Sequence, residues 1–422
     1  MAHAAVASSS SAPPLDPGVR LRLSIMMFLQ FAVWGAWFVV LGRYLEKGLG
    51  FTGTQIGSVY GTMALGAILS MMVAGQLADR FLASEYLMAF FHLGGAALLY
   101  WLAQVTEFSQ FWMVAFIYAL FYNPTLAISN SLTFANIPDA TRDFPTLRVL
   151  GTIGWIAAGL AVDFLLPEGS AETNRPLLLA AGLSAILGIF SLFLPHTPPQ
   201  GKGGDALPFL KAFALLKDPS FAIFFGLSFA ITIALAFYYG FTNVFLGDVG
   251  VKNIATTMSY GQMSEIGFML VLPFALKFFG MKWVLAIGMA AWAVRYGFFS
   301  VAATGNPFIL ILLGVILHGV CFDFFLAAGF IHTDNKAPSS IRGSAQALFS
   351  FLTYGVGMWI GNEISGRVVD AYTVDKVKNW GSIWMVPAIG AAICLGLFMV
   401  LWRDKPGKLD DLSTGDVPAT EP

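Results

Sequence analysis

The chain has 422 residues, 57% of them hydrophobic and only 11% charged, with a formal net charge of -1 and a mean hydropathy of +0.73. A soluble domain carries about a quarter charged residues, so the composition excludes one and indicates a polytopic membrane protein. The near-neutral balance offers no basic surface, which excludes a nucleic-acid partner.

The first nineteen residues, with Ser8 to Ser11 and then Pro13 and Pro14, read as a flexible polar tail. They lack the charged start, apolar core and cleavage site of a signal peptide. Twelve apolar stretches follow, roughly at 20–42, 54–78, 86–105, 109–134, 145–166, 176–195, 219–246, 254–279, 282–303, 307–332, 343–369 and 380–402. Most reach the ~20 residues needed to cross the hydrocarbon core. The expected divisions are a six-helix bundle over 20–195, a linker over 196–218 containing Pro198, Pro199 and a Gly-Lys-Gly-Gly run, a second bundle over 219–402, and a tail over 403–422.

Loop charge sets the orientation. With both termini in the cytoplasm, fourteen Lys and Arg residues lie inside, among them Arg20, Arg80, Arg142, Lys277 and Arg342. Seven lie outside: Arg43, Lys47, Arg175, Lys252, Arg367, Lys376 and Lys378. Cys321 and Cys394 both fall in apolar spans, where they read as small packing residues without a disulfide or metal role.

Few ionisable residues sit inside the apolar spans: Arg148, Glu265, Arg295, Asp323 and Glu363. A charge at bilayer depth costs about 2.5–3.5 kcal/mol on insertion scales, so such groups face a protein interior or a wet pathway. Arg148, Thr152 and Trp155 are spaced i, i+4, i+7 and share a helix face, offering a guanidinium fork, a hydroxyl and a stacking ring. Gln262 and Glu265 are i, i+3 on another face. His318 and Phe322 are i, i+4, with Asp323 about 100° away.

The halves echo each other. Thr125-Leu-Ala-Ile-Ser, Asp139 to Arg142 and Arg148 to Gly151 correspond to Phe325-Leu-Ala-Ala-Gly and Lys336 to Gly343; Gly75 to Phe81 corresponds to Pro273 to Gly280. Two parallel six-helix halves with a midplane site between them are the arrangement of major facilitator transporters. The predicted fold is therefore an all-α polytopic membrane protein of twelve transmembrane helices in two pseudo-symmetric halves.

Several strings in order make the likeness specific: Phe28-Leu-Gln-Phe-Ala-Val-Trp-Gly-Ala-Trp37, Pro124-Thr-Leu with Asn130, Asp143-Phe-Pro-Thr-Leu-Arg148-Val-Leu-Gly-Thr152, Gln262-Met-Ser-Glu265, Ala291-Trp-Ala-Val-Arg295-Tyr, Cys321-Phe-Asp323-Phe-Phe and Ile341-Arg-Gly-Ser-Ala-Gln346. Together they resemble the nucleoside:proton symporter family of the major facilitator superfamily. That resemblance implies proton-coupled nucleoside uptake across the bacterial inner membrane by a monomer, with the bilayer, nucleoside and protons as its partners and no cofactor or metal. It implies substrate binding by Arg148, Thr152, Gln262 and Glu265. Trp155, Tyr239, His318 and Phe322 join the expected wall.

Glu265 and Asp323 are the two candidate proton carriers. Asp323 reads equally as the partner of Arg295, itself expected to be structural because a permanent guanidinium needs a counter-charge. Arg148 has the alternative of a structural carboxylate pair, Gln262 and Glu265 that of an interhelical bond, and Phe322 that of packing. Gly75 to Arg80 partly matches the superfamily's gating signature, which assigns Asp79 and Arg80 to gating; the match lapses after Phe81. Glu363 is expected near an outer vestibule, His92 as a packed histidine, and Gln30, Trp34, Trp37 and Asn130 as lining residues.

The chain departs from the family on the seventh span, where Ala236 and Tyr239 stand in place of amides, and on the tenth, where His318 replaces Tyr. The base preference is thereby left open, and a symporter or facilitator for another sugar-like solute remains an alternative. A non-transporting receptor leaves the intramembrane carboxylates unexplained. No nucleophile-base pair or phosphate loop suggests an enzyme.

Overall fold

The computed structural model describes residues 13–80, 82–199, 208–305, 308–338 and 341–403, without the side chains of 71–80 and 141. Helix dominates because a chain crossing lipid must satisfy its backbone within each span. In the first half the helices are α1 (Pro17–Gly35), α2 (Gly53–Arg80), α3 (Ser84–Leu102), α4 (Phe108–Ala135), α5 (Ala140–Phe164) and α6 (Arg175–Ser191). The second half begins with α7 (Pro219–Asp248). Next come two helices that meet at a kink within Ile254–Gly305, at Gly280, whose φ of 73° and ψ of 167° leave helical space. These two, 254–279 and 281–305, are α8 and α9. The second half closes with α10 (Phe308–Lys336), α11 (342–371) and α12 (Trp380–Leu401). Among the described residues, six of these helical stretches, Ile254–Gly305 counting as one, are long and apolar enough by themselves to span a bilayer.

The first span differs from its expected form. Its helix stops at Gly35, and the chain continues through a short helix, Leu41–Arg43, and a π turn, Tyr44–Gly48. The Tyr60 hydroxyl stitches this irregular piece, accepting from Gly42 N (3.0 Å) and donating to Phe38 O (2.8 Å). Two more π segments, Phe322–Ala327 and Phe351–Gly357, widen α10 and α11. Such bulges are frequent at functional sites.

The halves meet along two helix pairs, α2 with α11 and α5 with α8. Six helices on, α2 becomes α8 and α5 becomes α11, so these contacts are equivalent under the internal two-fold. Both pairs approach closely. A Cβ on Gly53 would lie 2.7 Å from Gly366 O, and one on Gly159 2.8 Å from Ser259 Oγ.

Among the described residues, a cluster of ion pairs joins the halves at the end opposite the termini, here the distal end. Arg43 Nη1 lies 2.7 Å from Asp248 Oδ1, and Arg43 Nη2 lies 2.8 Å from Glu172 Oε1. Lys378 pairs with Glu46 and with Asp248 (3.0 Å), and Trp380 Nε1 donates to Asp248 (3.1 Å). A two-stranded hairpin, β1 (Thr373–Val374) with β2 (Val377–Lys378), presents Lys378 to this cluster. Its turn has positive φ at Asp375 (48°) and Lys376 (64°), the conformation whose twist suits a two-residue hairpin.

Candidate functional site

The register between α5 and α8 builds the site. Asp163 Oδ2 accepts from Thr256 N at 2.6 Å, and Gly159 packs on Ser259. The helices run antiparallel, so continuing toward the midplane at 3.6 residues per turn sets Gln262 level with Trp155 and Glu265 level with Thr152. Arg148 follows one turn on. The two polar faces read from the sequence thus confront each other across the halves.

Arg148 is partly exposed, and its guanidinium lies 4.1 Å from the centre of the Phe31 ring. Among the described residues it makes no ion pair, so the structural carboxylate partner has no counterpart in this arrangement. Glu265 is its nearest-acting carboxylate electrostatically. Thr152 is partly exposed, whereas Trp155 is 9% exposed and meets Trp34 edge-on with centroids 5.2 Å apart. Phe31 and Trp34 therefore extend the wall from α1.

On the opposite side, Glu265 is partly exposed and Gln262 nearly buried, with no partner for its Oε1. Tyr239 is partly exposed and touches Phe38, at 5.7 Å between centroids, across the halves. Phe322 is partly exposed between His318 (5.7 Å) and Tyr354 (6.5 Å). Ala236 is fully buried against Gly361, so its side chain packs α7 on α11 and lies off the wall.

His318 is also fully buried, with its Nε2 2.8 Å from Glu265 Oε1. The two atoms are close, but the ring is not aligned for a straight hydrogen bond. Asp323 is buried in the π segment of α10, and among the described residues neither carboxylate oxygen has a hydrogen-bond partner. It does not pair with Arg295. Arg295 instead donates from Nε to Gly314 O at 2.9 Å and lays its guanidinium 3.8 Å from the centre of the Tyr238 ring. The ring face and the carbonyl take the place expected of a carboxylate.

Other expected residues lie elsewhere. Gln30 and His92 are both buried; His92 contacts Gln30 Oε1 (2.8 Å) and Ser184 Oγ (3.2 Å), and Gln30 donates to Thr125 (2.7 Å). They join α1, α3, α4 and α6. Trp37 is buried among rings, while Asn130 is partly exposed. Glu363 pairs with Arg367 at 3.7 Å. Asp79 and Arg80 end α2, and their side chains lie outside the described residues. A separate cleft lined by Lys252, Asn253, Tyr260, Met263 and Ile316 holds none of the site residues.

Sequence reasoning missed Tyr354 and the distal latch. Arg43, Lys47 and Lys378 entered only as orientation charges, and Asp163 and Asp370 were passed over. The signal was present: each Asp closes an apolar span six spans from the other.

The family profile described as "Nucleoside H+ symporter" matches residues 18–406. The Escherichia coli (strain K12) protein YegT is 43% identical over 94% of this chain and 96% of its own length. The xanthosine permease of that organism is 38% identical over 90% and 94%. The crystal structure of the nucleoside transporter NupG superimposes with a TM-score of 0.85 at 34% identity, covering 92% of this chain and 100% of that one. A D-xylose-proton symporter at 13% identity and TM-score 0.70 shares the fold. The chain belongs to the nucleoside H+ symporter family and has the major facilitator fold.

Proposed function

We propose that the protein takes up nucleosides together with protons by alternating access, with the facing walls of α5 and α8 as its substrate site. The observation that carries this reading is the antiparallel register, which sets Glu265 level with Thr152 and Gln262 level with Trp155. Arg148, Thr152, Gln262 and Glu265 supply donors and acceptors for ribose hydroxyls and base carbonyls. Trp155, Tyr239 and Phe322 supply ring faces for the base.

Loop charge puts both termini in the cytoplasm, so the latched distal end faces outward. The proton carrier is Asp323 or Glu265, each a carboxylate without a lysine or arginine ion pair among the described residues. One proton entering with a neutral nucleoside across 100 mV gains about 2.3 kcal/mol, or roughly fiftyfold accumulation. The unit of transport is the monomer, since the whole site lies within one chain.

Counterflow in proteoliposomes with labelled uridine, adenosine and cytidine tests the reading. Saturable exchange is expected, converted to net accumulation by an inward proton gradient. Exchange of free sugars with none of the nucleosides would overturn it.

A further inference from the structure

The geometry points to His318 as the positioning residue of Glu265, a role built into the backbone contact between α8 and α10. This rests on the reading of Glu265 as a substrate-binding carboxylate. His318 has no exposed surface, so a nucleoside on the cavity wall does not touch it; Glu265 is 20% exposed at its side chain and lies between the two.

The contact is fixed by the main chain on both sides. A Cβ on Gly319 would stand 2.6 Å from Ser264 C, and one on Gly261 would stand 3.1 Å from His318 Cβ. The Ser264 hydroxyl bridges the helices, accepting from Gly319 N (3.0 Å) and donating to Ile316 O (2.8 Å). Ser264 precedes Glu265 and Gly319 follows His318, so the helices cannot separate this pair without breaking the bridge.

The ring is held from behind as well. It stacks on Tyr238 with centroids 4.9 Å apart and planes 19° apart. Tyr238 in turn carries the Arg295 guanidinium, whose Nε binds Gly314 O one turn before His318. Arg295 is thus the far end of a stack of guanidinium, phenol, imidazole and carboxylate drawn from α9, α7, α10 and α8. Its lack of a carboxylate partner becomes intelligible: it clamps Tyr238 and α10. With its Nε2 2.8 Å from Oε1, the fixed ring of His318 limits where that oxygen of Glu265 can lie and leaves the second carboxylate oxygen for the substrate. The other charged or titratable groups that act on this pair are Arg148 from α5, Tyr239 from α7, Asp323 from α10 and Tyr354 from α11.

The test compares H318F, H318Q and E265Q, alone and combined, by counterflow of nucleoside and by ligand-induced thermal shift up to millimolar nucleoside. Loss of a close polar contact to a carboxylate corresponds to roughly tenfold or more in affinity. H318F is therefore expected to raise KM at least tenfold with the maximal exchange rate within about threefold, and H318Q, whose amide nitrogen reaches the Nε2 position, to restore KM to within about threefold. In the E265Q background H318F is expected to add little, since the residues act as one unit. An unchanged KM in H318F, no rescue by H318Q, or an equal loss in E265Q overturns the proposal. Should H318F fail to fold, H318N, whose amide falls short of Glu265, takes its place with the same expectation. A wild type that exchanges no nucleoside, or an E265Q variant with wild-type KM, instead sinks the reading of Glu265 itself.

Discussion

Asp163 and Asp370 perform the same act on opposite sides of the molecule. Asp163, at the end of α5, accepts from Thr256 N in the first turn of α8 at 2.6 Å. Asp370, at the end of α11, accepts from Gly53 N (2.6 Å) and Thr54 N (2.8 Å) in the first turn of α2. Each half thus caps a helix of the other, and the internal two-fold exchanges the two caps. A carboxylate at a helix start satisfies unpaired N–H groups and meets the positive end of the helix dipole.

Loss of either cap is expected to loosen the distal end. Such a contact is worth about 0.3–2 kcal/mol, so D163N or D370N should shift the balance between closed and open distal states by roughly two- to thirtyfold. Spin labels on Glu168 and Lys252, both exposed at the distal end, in a background without Cys321 and Cys394, would report it. A longer inter-label distance should gain population in each variant and most in the double. An unchanged distance distribution would show that the caps do not hold the closed state.

In the distal latch Arg43 joins Asp248 and Glu172 while only 8% exposed. Breaking a buried pair by removing one partner costs about 3–5 kcal/mol. R43Q should therefore lower the melting temperature in detergent by several degrees. R43K should lose less, because it keeps the charge but cannot fork between two carboxylates. Equal midpoints for R43Q and wild type would argue against the latch.

Gly319 is predicted to tolerate no side chain. In G319V the added Cβ would press on Ser264 C at 2.6 Å, and overpacking of this kind costs typically about 1–3 kcal/mol. The expected result is a lower melting temperature together with weaker nucleoside binding, since the α8–α10 contact also sets Glu265. Retained stability and affinity would place the close approach elsewhere.

The two carboxylates are separable by experiment. Asp323 is buried and has no hydrogen-bond partner among the described residues, so D323N should keep counterflow while losing accumulation on a proton gradient. E265Q should lose accumulation too if Glu265 carries the proton, and should also raise KM as a substrate contact. Accumulation of uridine by E265Q on a proton gradient would leave Asp323 as the carrier.

Much of the site was legible because helical spacing alone joins Arg148, Thr152 and Trp155 on one face, and Gln262 and Glu265 on another. Their confrontation was not, since it depends on the register of α5 against α8, set by Asp163 and by the packing of Gly159 on Ser259. The pairing of Arg295 with Asp323 was the natural expectation for a buried charge. The structure answered with a carbonyl and an aromatic face, which spacing along one chain does not specify.

By itself the sequence determined the membrane class, the twofold repeat and the intramembrane charges, because hydropathy and spacing are local properties fixed by the lipid thickness and the helical period. It also carried the family's ordered strings. Only the tertiary structure decided which charges meet. The breaks at Gly35 and Gly280, the π turns of α10 and α11, and the close approach at Gly319 rotate and shift the helices by fractions of a turn. Those shifts put His318 behind Glu265, leave Asp323 unpaired and bring Arg43 to Asp248.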